Sequence, residues 1–140
     1  MAKYLMGIDC GTGSVRVAIF DVRGQSRAYD IKEYGTSFPK NGWAEQDDTE
    51  WLEALNEAIR ECIKKSGVDP EDIVALTCDA TTNTMVYLDD QDRSVRKPIL
   101  WMDVRATDEA AFIDEIRDDY EATRFYKPSF RADTMIPKCM

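Results

Sequence analysis

The sequence predicts an α/β fold built on a mixed sheet, and three observations predict it. Three short runs of strand character precede residue 35, apolar residues then recur every three or four positions over 48–66, and an apolar run from Ile73 returns to strand character. The resulting order is three strands, a helix and a strand, followed by a further strand and helix.

The first run, Tyr4 to Asp9, is apolar and ends in an acid. In the second, Val15, Val17 and Ile19 alternate with Arg16, Ala18 and Phe20, the period of a strand. "DVRGQSR" carries an acid, Gly24 and polar residues in the manner of a hairpin turn, and "RAYDIKEY" follows with alternating apolar positions. The opening is therefore three antiparallel strands joined by two short turns. After the loop "GTSFPKNGWAEQ", the residues Trp51, Leu52, Leu55, Ala58, Ile59, Cys62 and Ile63 form the stripe of an amphipathic helix. Asp47 with Glu50 suits a capping box, while Lys64, Lys65 and Gly67 suit the C-terminal end.

The strand from Ile73 to Thr77 is mostly apolar, and would be buried on both faces if it lies centrally in a sheet. "TMVYLDD" reads as another strand with "DDQDRS" as its turn, and "KPILWMDVRA" as a short apolar segment ending in an acid and an arginine. A helix over 107–118 follows, with Ala110, Phe112, Ile113 and Ile116 inward. The last twenty residues have no clear periodicity.

With 140 residues, 44% of them apolar and 32% charged, the chain has the size and composition of one soluble globular domain. A net charge of -9 argues against nucleic acid or an anionic membrane surface as partner. Any phosphate site must be built locally from backbone N–H groups and one or two cations. The start, "MAKYLMGIDC", is neither a signal peptide nor long enough to span a bilayer, which predicts a cytoplasmic protein. The four cysteines are scattered and histidine is absent, so structural zinc, disulfides and Ser-His or Cys-His nucleophiles are not expected. The chemistry falls to carboxylates, hydroxyls, backbone dipoles, Arg and Lys.

Those parts meet in "GIDCGTGSVRVAIFD". A turn holding Gly11 and Gly13 lets backbone N–H groups converge on an anion, Thr12 and Ser14 add hydroxyls, and Arg16 adds a permanent charge. Asp9, at the end of the first strand, suits Mg²⁺ held through water. A dinucleotide fingerprint is excluded, because "GTGSVR" lacks the third glycine and a strand follows it; a Walker loop is excluded by the missing GK[ST]. Taken alone, the stretch is open to two readings, a phosphate cradle or a polar hairpin with Asp9 and Arg16 solvated beside it. Cys10 reads as a small hydrophobe at a strand end rather than a redox switch.

"GIDCGTGSVRVAIFD" resembles the first phosphate motif of the actin-like ATPase superfamily, of ribonuclease H-like fold, and more narrowly the N-terminal segment of the FGGY family of carbohydrate kinases. "GWAEQDDTEWLEAL" resembles that family's Gly-Trp-x-Glu-Gln-Asp-Pro segment, and "RKPILWMDVRA" its Trp-x-Asp-x-Arg segment. "LTCDATTNTMVYLDD" with "WMDVRA" is closest to the ribulokinase-like branch, although Val104 stands where that branch shows a histidine.

The resemblance implies ATP-dependent phosphorylation of a sugar or polyol, with a pentulose such as ribulose as acceptor and with ATP and Mg²⁺ as cofactors. Asp9 matches the metal-associated aspartate, and Gly11, Thr12, Gly13, Ser14 and Arg16 match the turn that faces the ATP phosphates. Asp79, Ala80 and Thr81 match a loop lining the sugar pocket, and Trp101, Asp103 and Arg105 a segment beside it. For Asp79 and Asp103 the plainer reading is that both cap turns or helices. Trp43 and Trp101 suit core or pocket wall, and Glu45 and Gln46 suit loop support. The resemblance also implies that residues 1–140 are the N-terminal portion of a kinase several hundred residues long. The general-base aspartate, the second phosphate motif, the adenosine pocket and the second domain would then lie downstream, and this portion alone would be inactive. A homodimer is an assembly open to the full-length protein. Two other readings stand beside this one: a non-catalytic sugar- or partner-binding module, and another FGGY kinase acting on xylulose, gluconate or glycerol.

Overall fold

The structure is a computed structural model that describes residues 3–116 and 130–140. The chain divides into two units, one made of residues 1–35 and 47–81, the other of residues 36–46 and 82–140.

In the first unit, β1 (Tyr4–Cys10), β2 (Ser14–Asp21) and β3 (Ser26–Glu33) form an antiparallel meander. Helix α1 (Asp48–Ser66) crosses over and a single 3₁₀ turn at Pro70–Asp72 delivers the chain to β4 (Ile73–Ala80), which pairs parallel with β1. The sheet order is β3-β2-β1-β4. Strand alternation decides which side α1 covers: Met6 and Ile8 of β1 and Val15, Val17 and Ile19 of β2 point one way and are buried beneath it. On α1 the buried seam is Ala54, Ala58 and Cys62, four residues apart, flanked by Leu55, Ile59 and Ile63. Small residues at the seam let the helix approach the sheet closely. The deepest burial therefore falls on them rather than on Leu52, which the sequence placed inward and which is 59% exposed.

Both ends of α1 are built by its sequence. At the N-cap, the Asp47 carboxylate accepts from the Thr49 backbone N–H (3.1 Å) and hydroxyl (2.6 Å). At the other end Gly67 takes a left-handed conformation (φ 63°) and donates its N–H to the Ile63 carbonyl at 3.2 Å. Buried Asp30 of β3 receives the Lys65 ammonium from the last turn of α1, with Lys32 at 3.7 Å. The Lys65 hydrogen bond outweighs burial and holds the Asp30 carboxyl below the usual carboxylate range.

Strand β4 would be buried on both faces if it lay centrally, but among the described residues its one strand neighbour is β1. It forms the edge of this sheet, with Val74 53% and Leu76 67% exposed, because α1 packs on β2 and β3 and leaves β4 uncovered among the described residues.

The second unit is held by loops. The segment "TMVYLDD", expected as a strand, contributes isolated bridges: Met85 pairs with Ile99, and Leu88 with Ser94. Between the last two, Asp89 accepts from the backbone N–H groups of Gln91 and Arg93 and pairs with the Arg93 side chain, forming the expected turn. Ile99 also pairs with Glu45, which in turn pairs with Ser37, so "PIL" and "AEQ" are knitted together around buried Ile99, Leu100 and Ala44. Helix α2 (Thr107–Ile116) packs against the short α3 (Met135–Lys138). Its buried seam runs through Ala106 and Ala110, so Phe112 and Ile116, placed inward by the sequence, lie exposed on the other side of the helix. Residues 117–118 of the expected helix, and 121–129 of the aperiodic segment, fall outside the described residues. No helix among the described residues is long and apolar enough to cross a membrane.

Candidate functional site

Since Met6 and Ile8 face α1, the odd residues of β1 face the other way, and Asp9 ends that series. Register then selects its neighbours. Asp9 pairs with Arg16 across the antiparallel ladder and with Asp79 across the parallel one, so Arg16, Asp9 and Asp79 form one row across three strands. Arg16 Nη1 lies 2.8 Å from Asp9 Oδ2, with both side chains about half exposed (55% and 49%). Asp79 Oδ1 accepts from the Ala80 N–H at 2.9 Å. Thr81 donates its N–H to the Cys10 carbonyl at 3.2 Å, tethering the Asp79–Ala80–Thr81 segment to the end of β1. A concavity of about 390 Å³ opens on this face, with Asp9, Arg16 and Asp79 at one end and Gly7, Ala18 and Phe20 in its floor.

The 11–14 turn sits at the head of that row. Gly11 donates its N–H to the Ser14 carbonyl at 3.0 Å. Two further bonds come from Tyr34, just after β3: its N–H reaches the Gly13 carbonyl at 3.2 Å, and its hydroxyl donates to the Gly11 carbonyl. Neither Gly11 nor Gly13 has positive φ, so backbone conformation does not demand glycine at either place. At Gly11 a Cβ would stand 3.3 Å from the Ser14 carbonyl oxygen and 3.4 Å from Arg16 Nη1, so a side chain there would crowd both. At Gly13 a Cβ would meet nothing within 4 Å. Gly13→Ala should therefore leave thermal stability within about 1 kcal/mol of the parent, while Gly11→Ala displaces Arg16. Both should weaken phosphate binding at least fivefold or so, by crowding the approach in one case and by moving a cation in the other. Thermal melts and phosphate titrations of the two variants check this; unchanged affinity in Gly13→Ala would show that nothing approaches the turn.

The Cys10 thiol is pushed up to about 11, chiefly by burial and further by Cys78 and Asp9. It stays protonated near neutral pH, consistent with a small packed hydrophobe.

In the second unit, Asp103 has no exposed surface (0%). Its Oδ2 accepts from the Ala44 N–H at 2.7 Å and from Arg105 Nη2 at 2.7 Å, and its Oδ1 from the Arg105 N–H and Nε, both at 2.9 Å. Burial raises its pKa, but these hydrogen bonds outweigh burial and hold the carboxyl below its ordinary value. Arg105 also pairs with Glu45 at 2.8 Å and lies 3.7 Å from the centre of the Trp43 ring. Asp103, expected in a segment beside the sugar pocket, fastens "WMDVRA" to "GWAEQ". Arg105 is held in the same clamp, whereas Trp101 is 44% exposed. Glu45 and Gln46 support the loop as expected: Glu45 through Arg105, and buried Gln46 through the Thr36 hydroxyl at 2.7 Å.

Two residues here were not singled out by sequence. Tyr34 left a visible signal, an aromatic immediately after the third strand. Lys138 left less. Its ammonium is buried and donates to the carbonyls of Leu100 (2.7 Å), Trp101 (3.3 Å) and Asn83 (3.4 Å). Burial, above all, lowers its pKa.

Comparison with known proteins identifies the family. The FGGY family of carbohydrate kinases, N-terminal domain, matches residues 4–136. A glycerol kinase of Rhizobium meliloti is 33% identical over 118 residues, covering 84% of this chain and 23% of the relative. A xylulose kinase of Bacillus subtilis is 30% identical over 118 residues, covering 84% and 24%. Among solved structures, a xyloylose kinase from Brucella ovis superposes with a TM-score of 0.84 at 27% identity, covering 96% of this chain and 28% of that one. The chain thus spans about a quarter of the length of the curated relatives it matches. The mixed sheet led by a glycine turn is the fold of these actin-like sugar kinases, and the chain belongs to the FGGY family of carbohydrate kinases.

Proposed function

We propose that the whole protein transfers the terminal phosphate of ATP to a hydroxyl of a sugar or polyol in the cytoplasm, and that residues 1–140 supply one side of that site. The observation that carries this reading is the row Arg16, Asp9 and Asp79 at the head of a turn in which a Cβ on Gly13 would meet open space. In it Thr12, Gly13, Ser14 and Arg16 receive phosphate oxygens, and Gly11, whose N–H is held by the Ser14 carbonyl, shapes the turn. Mg²⁺ fits the donor set, since it binds through one or two carboxylates with water and substrate phosphate completing its shell. Asp9, half exposed with Asp79 beside it, meets that requirement. When bound, the ion neutralises charge on the transferring phosphoryl group.

On this reading Asp79, Ala80 and Thr81 face the acceptor hydroxyls, where a carboxylate of fixed geometry discriminates because an unmatched polar group is costly. In the second unit, Asp103, Arg105 and Lys138 hold the loop that carries Trp101. The general base lies in the part of the protein that relatives carry beyond this length. Asp79-Ala80-Thr81 favours a pentulose such as ribulose as acceptor; the glycerol and xylulose kinases among the relatives make those two the principal rivals.

The test offers ribulose, ribitol, xylulose, glycerol and gluconate with Mg-ATP to the full-length protein and, in parallel, to the 140-residue chain. Acceptor-dependent ADP release is expected from the first and none from the second, because transfer needs both sides of the cleft. Turnover by the 140-residue chain would overturn the placement of the base, and no turnover by the full-length protein with any acceptor would overturn the activity.

A further inference from the structure

We propose that Tyr34 is the positioning residue of the phosphate turn, fixing from behind the directions in which the turn's amides face the phosphate; this rests on the phosphate reading above. The β2–β3 ladder ends with Ser14 opposite Glu33. One residue further along, Tyr34 donates its N–H to the Gly13 carbonyl, and its side chain folds back so that the hydroxyl donates to the Gly11 carbonyl. A single residue thus holds both glycine carbonyls. A trans peptide is planar with its C=O and N–H antiparallel, so drawing a carbonyl toward Tyr34 aims the next residue's N–H away from it. The hydroxyl therefore sets the Thr12 amide, and the Tyr34 backbone sets the Ser14 amide.

The ring is itself supported. It meets Trp51 of α1 with centroids 6.4 Å apart at 55°. Burial, followed by the neighbouring Cys10 and Asp9, pushes the Tyr34 phenol up to about 12, with Arg16 opposing. It remains a proton donor at any pH at which the turn would meet phosphate. Gly11 is the glycine beside Arg16, since a Cβ on it would lie 3.4 Å from that guanidinium while one on Gly13 would meet nothing within 4 Å. Loosening the Gly11 carbonyl would thus disturb the amide beside it and the packing of the cation.

Tyr34→Phe retains the ring against Trp51 and deletes the donor; Trp51→Leu retains the donor and weakens the ring's support. Both are made in the 140-residue chain, labelled with ¹⁵N and titrated with inorganic phosphate and with Mg-ADP. Tyr34→Phe should raise the dissociation constants roughly fivefold to tenfold and shift the Thr12 amide, with little change in melting temperature. Trp51→Leu should lower the melting temperature and leave the affinity of the folded chain within about twofold. A ring-fluorinated tyrosine at position 34, whose more acidic phenol ionises as pH is raised, gives the same information without a change of fold: affinity should fall as it loses its proton. Equal affinities in parent and Tyr34→Phe, or an unchanged affinity as the fluorinated phenol ionises, overturn the role of Tyr34 while leaving the phosphate site in place. Absence of any shift at residues 11–14 in the parent overturns the phosphate reading and this inference with it.

Discussion

Asp103→Ala should destabilise the second unit by roughly 3–5 kcal/mol, the cost of removing one partner from a buried ion pair. The carboxylate is fully buried and accepts from Ala44 and Arg105, so alanine leaves the Ala44 N–H unsatisfied and the guanidinium with Glu45 as its remaining close carboxylate partner. Asp103→Asn should be costly too, because its amide would present a donor where two donors converge. Urea unfolding followed by Trp43 and Trp101 fluorescence measures the effect, and a loss below about 1 kcal/mol would refute the clamp. The pH dependence has a definite sign. Because the folded pKa lies below that of the unfolded chain, stability from Asp103 is complete above about pH 4 and is lost as pH falls through the lowered folded value. Buried Asp30, held down mainly by Lys65, acts in the same direction in the first unit. Asp103→Ala should accordingly flatten the acid limb of the curve monitored by Trp43 and Trp101.

The same residue shows where sequence reading reached its limit. A motif such as Trp-x-Asp-x-Arg marks a position without saying whether its carboxylate faces a ligand or the protein. Only the partners decide, and for Asp103 these include Ala44, fifty-nine residues away. The meander and α1 were legible because their order is local: period two, then a stripe with a cap at each end, and the predicted span 48–66 is the span observed. Position within the sheet was not. The apolar sequence of β4 is that of a central strand, yet an edge and a centre differ by a neighbouring strand, which no residue of β4 encodes. The second unit lacked periodicity because isolated bridges, Asp103, Arg105 and Lys138 hold it, and carbonyl contacts such as those of Lys138 leave no pattern in sequence. In the candidate site, the sequence marks Asp9 and Asp79 but not their register: they are seventy residues apart, and the β1–β4 pairing makes them neighbours.

That register gives Asp9 the largest expected effect on function. Asp9→Asn should reduce the Mg²⁺-dependent gain in nucleotide affinity of the chain at least tenfold, and in the full-length protein should lower kcat by roughly 10³, about 4 kcal/mol of transition-state stabilisation. The side chain keeps its shape but loses the charge that a hard cation requires. Arg16 supplies an internal control. It now spends one N–H on Asp9 at 2.8 Å, and asparagine offers it only a neutral acceptor. Affinity for inorganic phosphate without metal should therefore hold or rise in Asp9→Asn while the Mg²⁺ dependence disappears. A variant that merely misfolded the turn would lose both. Titrating phosphate, ADP and Mg-ADP against the ¹⁵N-labelled parent and variant separates the cases, and an Mg²⁺ dependence that survives in Asp9→Asn would move the ion to Asp79. On the proposed reading, in which Asp79 meets the acceptor, Asp79→Asn should have the milder effect on nucleotide. It should instead raise KM for the sugar in the full-length protein, so the two neighbouring carboxylates are distinguished by which substrate each substitution weakens.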